Sequence, residues 1–156
     1  MYKTLKEVTQ TATQLNMTIG AFNTHNLEMM PEMIRAAKEV GVPIIIQTSI
    51  ATAKYIGYKV MVTVAKEMAE DEMVDVCLHL DHAKDFDEIK AAIDAGFSSV
   101  MFDGSALPFK ENIAKTKMVV AYAHAHGASV EGELGTIGGT EELSLIHISE
   151  PTRPEP

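Results

Sequence analysis

The sequence has little cysteine, no long apolar run and a shortage of positive charge. Cys77 is the single cysteine, so no internal disulfide can form. That usage points to a reducing, cytoplasmic compartment. No apolar stretch approaches the ~18 residues needed to span a bilayer, which argues against a membrane role. The first residues, Met1-Tyr2-Lys3-Thr4-Leu5-Lys6, lead into polar sequence rather than a secretory apolar core. Lys and Arg number 13 against 22 Asp and Glu, a formal net charge of −9, which argues against nucleic acid as a partner. A phosphorylated small molecule stays compatible, because a local cluster of donors binds phosphate even on an acidic protein. No sequence repeat is visible.

What is present suits one domain with a real core. The chain has 156 residues, 46% of them apolar. Apolar positions Leu5, Val8, Ala12 and Leu15 have helical spacing, so Thr4 to Leu15 predicts a leading helix. Ile19 to Asn23 reads as a first strand, followed by the polar loop Asn23-Thr24-His25-Asn26, with Asn26 as a helix N-cap. A helix with Met30, Met33, Ile34, Ala37 and Val40 on one face has Pro31 near its start and Gly41 at its stop. Val42 to Ile46 is a second strand with the polar exit Gln47-Thr48-Ser49, where Ser49 could cap the next helix. Thr52 to Met73 predicts one mostly helical segment, loosened in its first turns by Gly57. Asp75 to Asp81 is a third strand. Asp85 and Glu88 have capping-box spacing ahead of the stripe Ile89, Ala92 and Ile93, which Gly96 ends. Ser98 to Phe102 is a fourth strand, Pro108 to Gly127 a helix, and Ser129 to Leu134 a fifth strand.

This alternation predicts an α/β fold of parallel strands with right-handed crossovers. An open doubly wound sheet and a (β/α)8 barrel both satisfy it. Polar groups at nearly every strand exit favour the barrel, whose strand ends share one rim. A nucleotide-binding open sheet is disfavoured, because no Gly-rich turn follows the first strand.

The chemistry gathers on Val76-Cys77-Leu78-His79-Leu80-Asp81-His82, an apolar run that ends in a carboxylate and an imidazole. A buried strand does not hold such groups in its interior without partners. Asp81 and His82 are neighbours, so on a regular strand they face opposite ways. Both serve one site only if the chain bends there.

Leu78-His79-Leu80-Asp81-His82, Phe102-Asp103-Gly104-Ser105 and Val130-Glu131-Gly132-Glu133-Leu134-Gly135 with Gly138-Gly139 together resemble the class II, metal-dependent ketose-bisphosphate aldolases. The resemblance runs from near the start to about Glu142. It implies a (β/α)8 TIM barrel, incomplete here, with about the first five strands and four to five helices of a fold that needs roughly 250 residues. Residues 1–142 are then the N-terminal part of that barrel. Residues 143–156, with three Pro in the last six, read as a non-native or disordered tail whose His147 is no ligand. The implied reaction is zinc-dependent retro-aldol cleavage of a phosphorylated ketose, fructose 1,6-bisphosphate, to dihydroxyacetone phosphate and glyceraldehyde 3-phosphate. Tagatose 1,6-bisphosphate differs at one carbon and stays open as the substrate. So does a barrel subunit that keeps the fold without the chemistry.

On this resemblance His82 is a zinc ligand and Asp81 the proton carrier. Asp103 and Glu133 resemble ligands of a second divalent cation in part of the family; each could instead cap a turn. Asn23 and Ser49 fall where the family contacts substrate. His79, on the same strand face as Asp81, supports the site from the interior. Glu131 shares a face with Glu133 and supports it as well. His124 and His126, at a helix C-terminus, read as structural. The resemblance implies two further His ligands from later strands, so the polypeptide as given is expected to be inactive. Unpaired first and fifth strands favour association, and a homodimer or higher homo-oligomer is expected of the full-length protein.

Overall fold

The computed structural model describes residues 1–135. The proposed tail, Gly138, Gly139 and His147 lie outside the described residues. The elements are α1 (Leu5–Leu15), β1 (Ala21–Asn23), α2 (Met29–Val40), β2 (Ile44–Ser49), α3 (Ile50–Ile56), α4 (Tyr58–Asp71), β3 (Val76–Ala83), α5 (Phe86–Ala95), β4 (Ser99–Phe102), α6 (Phe109–Ala125) and β5 (Ser129–Gly132).

The five strands pair in the order β1-β2-β3-β4-β5, and every described pairing is parallel. A doubly wound sheet reverses its strand order at a switch point. The sequential order has no such point and is that of a partial α/β barrel.

Strand alternation sorts the side chains into two layers. Ile44, Ile46, Val76, Leu78, Leu80, Val100 and Phe102 face the helices and form the main core with Ile34 of α2, Met61 of α4, Ile89 of α5 and Val119 of α6. The opposite face is the barrel interior. At its lower end Ile45 and Cys77 pack against Val8 of α1. Here α1 plugs the amino-terminal end of the strands, and the polar residues further along the same columns are left to line the other end.

Several boundaries differ from the sequence expectation, each for a local reason. Thr4 begins α1 with a full capping box, its hydroxyl taking the Glu7 N–H while Glu7 takes the Thr4 N–H. Asn26 caps the turn before α2, its Oδ1 accepting from Met29 N at 3.0 Å, and the helix proper starts three residues on. The second strand continues through Gln47-Thr48-Ser49, which pair with His79, Leu80 and Asp81. The expected single helix over 52–73 is two helices, because Gly57 takes φ 101 and ψ 123. Asp85 caps α5 through Asp87 N, but Glu88 turns away to Lys54 and Tyr58, so no capping box closes there. Strand β5 ends at Gly132, which leaves Glu133 on the rim beyond it.

Candidate metal centre

Sequence neighbours Asp81 and His82 reach one site because β3 is irregular there. Its pairing with β4 shifts between Leu80 and Ala83, and His82 has φ 49. A bulge of this kind re-aims one side chain while the strand carries on. A left-handed non-glycine residue stores on the order of 1 kcal/mol of strain.

His82 Nδ1 lies 3.4 Å from Asp103 Oδ2 and 3.6 Å from Glu133 Oε2. Its Nε2 is 3.8 Å from Asp81 Oδ1. One ligand atom each from His82, Asp103 and Glu133 fall within 4.8 Å of one another. Thus a bulged strand, the end of β4 and the rim after β5 each supply one donor.

Local structure fixes each donor. Asp103 Oδ1 accepts from the backbone N and hydroxyl of Ser105. Burial alone would raise its pKa, but Ser105, His82 and the Lys84 ammonium outweigh that and hold it below the usual carboxylate value. Gly104 is glycine for want of space: a Cβ would stand 2.3 Å from Asn112 Oδ1 and 2.9 Å from the Phe102 ring. Buried Asn112 donates to the backbone carbonyl of Glu133 at 2.8 Å. The Asp103-Gly104-Ser105 turn, the α6 helix and the Glu133 rim are therefore locked together.

The donor chemistry fits a divalent cation. An imidazole nitrogen and two carboxylate oxygens are ordinary zinc ligands, and three protein donors leave a position open. Two donors about 2.0 Å from a tetrahedral ion stand roughly 3.3 Å apart, close to the separations around His82 Nδ1. Asp81, Asp103 and Glu133 surround this imidazole. Lys84 Nζ, on a largely exposed side chain, is 3.8 Å from Asp103. Among the described residues, three carboxylates thus gather at a point where a divalent cation would be well placed.

The interior column below is polar as well. His79 is buried, with Nδ1 2.7 Å from Ser99 Oγ and Nε2 3.3 Å from Glu131 Oε2. Burial, with a smaller push from His82, lowers the His79 pKa to about 4, so it is neutral near pH 7. Burial and the nearby Asp81 raise the Glu131 pKa, while His82 partly opposes them.

Of the residues singled out from sequence, Asp81, His82, Asp103 and Glu133 come together, with His79 and Glu131 beneath them. Asn23 and Ser49 sit at the same strand ends, Asn23 in register with Gln47 and Ser49 with Asp81. The Ser49 hydroxyl also caps α3, accepting from Thr52 N at 3.3 Å. His126 lies apart, stacked on Tyr122 at the end of α6. Sequence reasoning assigned nothing to Gln47 or Asn112. Gln47 Nε2 donates to Asp81 Oδ2 at 2.8 Å. A lone amide closing an isoleucine run was the available signal for it.

Comparison with known proteins agrees with this geometry. The family model for fructose-bisphosphate aldolase class-II matches residues 3–155. The Geobacillus stearothermophilus fructose-bisphosphate aldolase is 45% identical over 141 residues, covering 88% of this chain and 49% of that protein. The Giardia intestinalis fructose-bisphosphate aldolase is 42% identical over 153 residues, 95% of this chain and 47% of that one. The chain thus spans about half the length of the curated relatives it matches. Among solved structures, a putative fructose-1,6-biphosphate aldolase from Coccidioides immitis superposes with a TM-score of 0.79 at 34% identity, over 88% of this chain and 48% of that one. The YdjI aldolase from Escherichia coli K12 gives 0.77 at 33% identity, over 86% and 53%. By sequence match and by fold, the chain belongs to the class II fructose-bisphosphate aldolase family.

Proposed function

We propose that this chain carries the metal-binding and proton-transfer part of a zinc-dependent ketose-1,6-bisphosphate aldolase. Its reaction splits fructose 1,6-bisphosphate into dihydroxyacetone phosphate and glyceraldehyde 3-phosphate. The observation that carries this reading is the convergence of His82, Asp103 and Glu133 beside Asp81. The names of the curated relatives support a fructose bisphosphate as substrate, and that of the Coccidioides immitis structure supports the 1,6-bisphosphate.

His82 would hold zinc, and Asp103 and Glu133 would line the same centre as ligands of a second divalent cation. When bound, such an ion acts as a Lewis acid on the substrate carbonyl and its neighbouring hydroxyl. Asp81 takes the proton from the C4 hydroxyl as the C3–C4 bond breaks. The bonding electrons pass to C3, next to the carbonyl, the C4 oxygen becomes the aldehyde, and C3 takes up a proton from water to give dihydroxyacetone phosphate. In the condensation direction Asp81 returns the proton. Asn23 and Ser49, at the ends of β1 and β2, would contact the substrate, Ser49 near its aldehyde end. A reducing cytoplasm suits the buried free Cys77. A homodimer or higher homo-oligomer is the assembly proposed for the full-length protein.

A chimera tests this. Residues 1–135 replace the corresponding segment of the Geobacillus stearothermophilus relative, and dihydroxyacetone phosphate release is followed with zinc present. The chimera should turn over fructose 1,6-bisphosphate. Asp81→Asn in it should lose about 10²–10⁴-fold in kcat, the ordinary worth of a positioned general base. An Asp81→Asn chimera as active as its parent contradicts the role given to Asp81.

A further inference from the structure

Asp81 is held by groups the metal centre does not use. Gln47 Nε2 donates to its Oδ2 at 2.8 Å. On the other side His79 Nε2 lies 4.0 Å from Oδ1 and 3.3 Å from Glu131 Oε2. His79 is 2% exposed, yet Nε2 makes no well-directed hydrogen bond among the described residues. Leaving a buried donor without a hydrogen bond is costly, so its placement asks for a reason.

The register supplies one. Gln47 pairs with His79 and His79 pairs with Ser99, so the three form one row across β2, β3 and β4. The row lies two residues below Asp81 on the interior face. Ser99 Oγ sits 2.7 Å from His79 Nδ1, and two proton arrangements satisfy that distance. Were Nδ1 the donor, Nε2 would turn a bare lone pair toward the Asp81 and Glu131 carboxylates. Like-signed partial charges in a buried pocket disfavour this strongly. With the Ser99 hydroxyl donating to Nδ1, Nε2 carries the hydrogen and aims it between the two carboxylates.

We propose that Gln47, His79 and Ser99 form a positioning row for Asp81. Gln47 grips Oδ2. Ser99 fixes the His79 tautomer, and the His79 N–H draws Oδ1 to the interior side while tethering Glu131. The carboxylate plane is thereby set so that Oδ1 is presented on the side of His82. A carboxylate left to rotate would lose the alignment that proton transfer from a substrate hydroxyl requires. These residues touch no reacting atom; they act through Asp81. The idea rests on the proton-carrier role given to Asp81 above, but its test needs neither substrate nor metal. The two readings therefore fail separately.

The test is side-chain NMR on the isotopically labelled chain. Imidazole nitrogen correlations should show His79 as the single Nε2–H tautomer. In Ser99→Ala the Nδ1–H form should appear, and Ser99→Thr, which keeps the hydroxyl, should restore the original spectrum. Gln47→Ala and Ser99→Ala should each shift and broaden the Asp81 side-chain carbonyl signal while leaving that of Asp87 in place. An Nδ1–H tautomer in the parent chain overturns the proposal, as does an Asp81 signal unmoved in both variants. Should Ser99→Ala lose the backbone spectrum of the folded chain, Gln47→Ala at its half-buried position decides alone. A purely structural row would leave the tautomer and the Asp81 signal untouched.

Discussion

At the scale of residues, the site is a set of polar groups held at strand ends with one histidine buried among them. His79 makes the clearest prediction. Its folded-state pKa is lowered to about 4, chiefly by burial, against an unfolded value near 6.5. Between those values the unfolded chain binds a proton that the folded chain refuses, so stability falls as pH falls through that window. The loss should reach about 2 kcal/mol between pH 7 and pH 5, read by urea denaturation. A His79→Gln variant should lack that component, and a pH dependence unchanged by the substitution contradicts the assignment. The residues themselves were partly legible. Asp81 and His82 stand out as an acidic and an imidazole group closing an apolar run, whereas Asp103 and Glu133 were singled out by the family resemblance. Gln47 and Asn112 did not stand out, because an isolated amide has no sequence signature until its partner is known. Asp81 lies 34 residues from Gln47, and the Glu133 carbonyl 21 from Asn112.

At the scale of elements, helix and strand identities followed from periodicity, and the boundaries that moved did so for tertiary reasons. Apolar spacing marked a helix over 52–73, but it could not say that the backbone at Gly57 leaves the helical region. That break separates α3, which packs on β2 and β3, from α4, which packs on α2 and α5. Gly57→Ala tests it. A Cβ there would meet Val60 at 3.5 Å, an ordinary contact, so the cost is backbone strain alone. The variant should lose about 1–3 kcal/mol by denaturant unfolding, and an unchanged midpoint would show that a side chain is tolerated at this junction. The bend at the end of β3 was foreseeable as a requirement of placing Asp81 and His82 in one site. Its form was not, since a bulge depends on the partner strand, here Ser99–Phe102. Strand β2 ran longer than its apolar core because Gln47, Thr48 and Ser49 find backbone partners in β3 whatever their side chains.

At the scale of the whole molecule, sequential strand order, helices on one face and α1 below place every donor at one end. Among the described residues the candidate metal centre has one imidazole and two carboxylates. The curated relatives are about twice as long. We therefore predict that this polypeptide alone releases little or no dihydroxyacetone phosphate from fructose 1,6-bisphosphate with added zinc. Turnover at rates ordinary for enzymes, about 1–10³ per second, contradicts that. The fold class was legible because strand–helix alternation is a local pattern that survives whatever the full length. The most direct test of the account is zinc titration calorimetry on the folded chain, beside a variant carrying His82→Ala, Asp103→Asn and Glu133→Gln. The account predicts one zinc site in the parent chain and its loss, or at least a roughly tenfold weakening, in the variant. Equal zinc affinity in the two, or no binding by the parent chain, would contradict it.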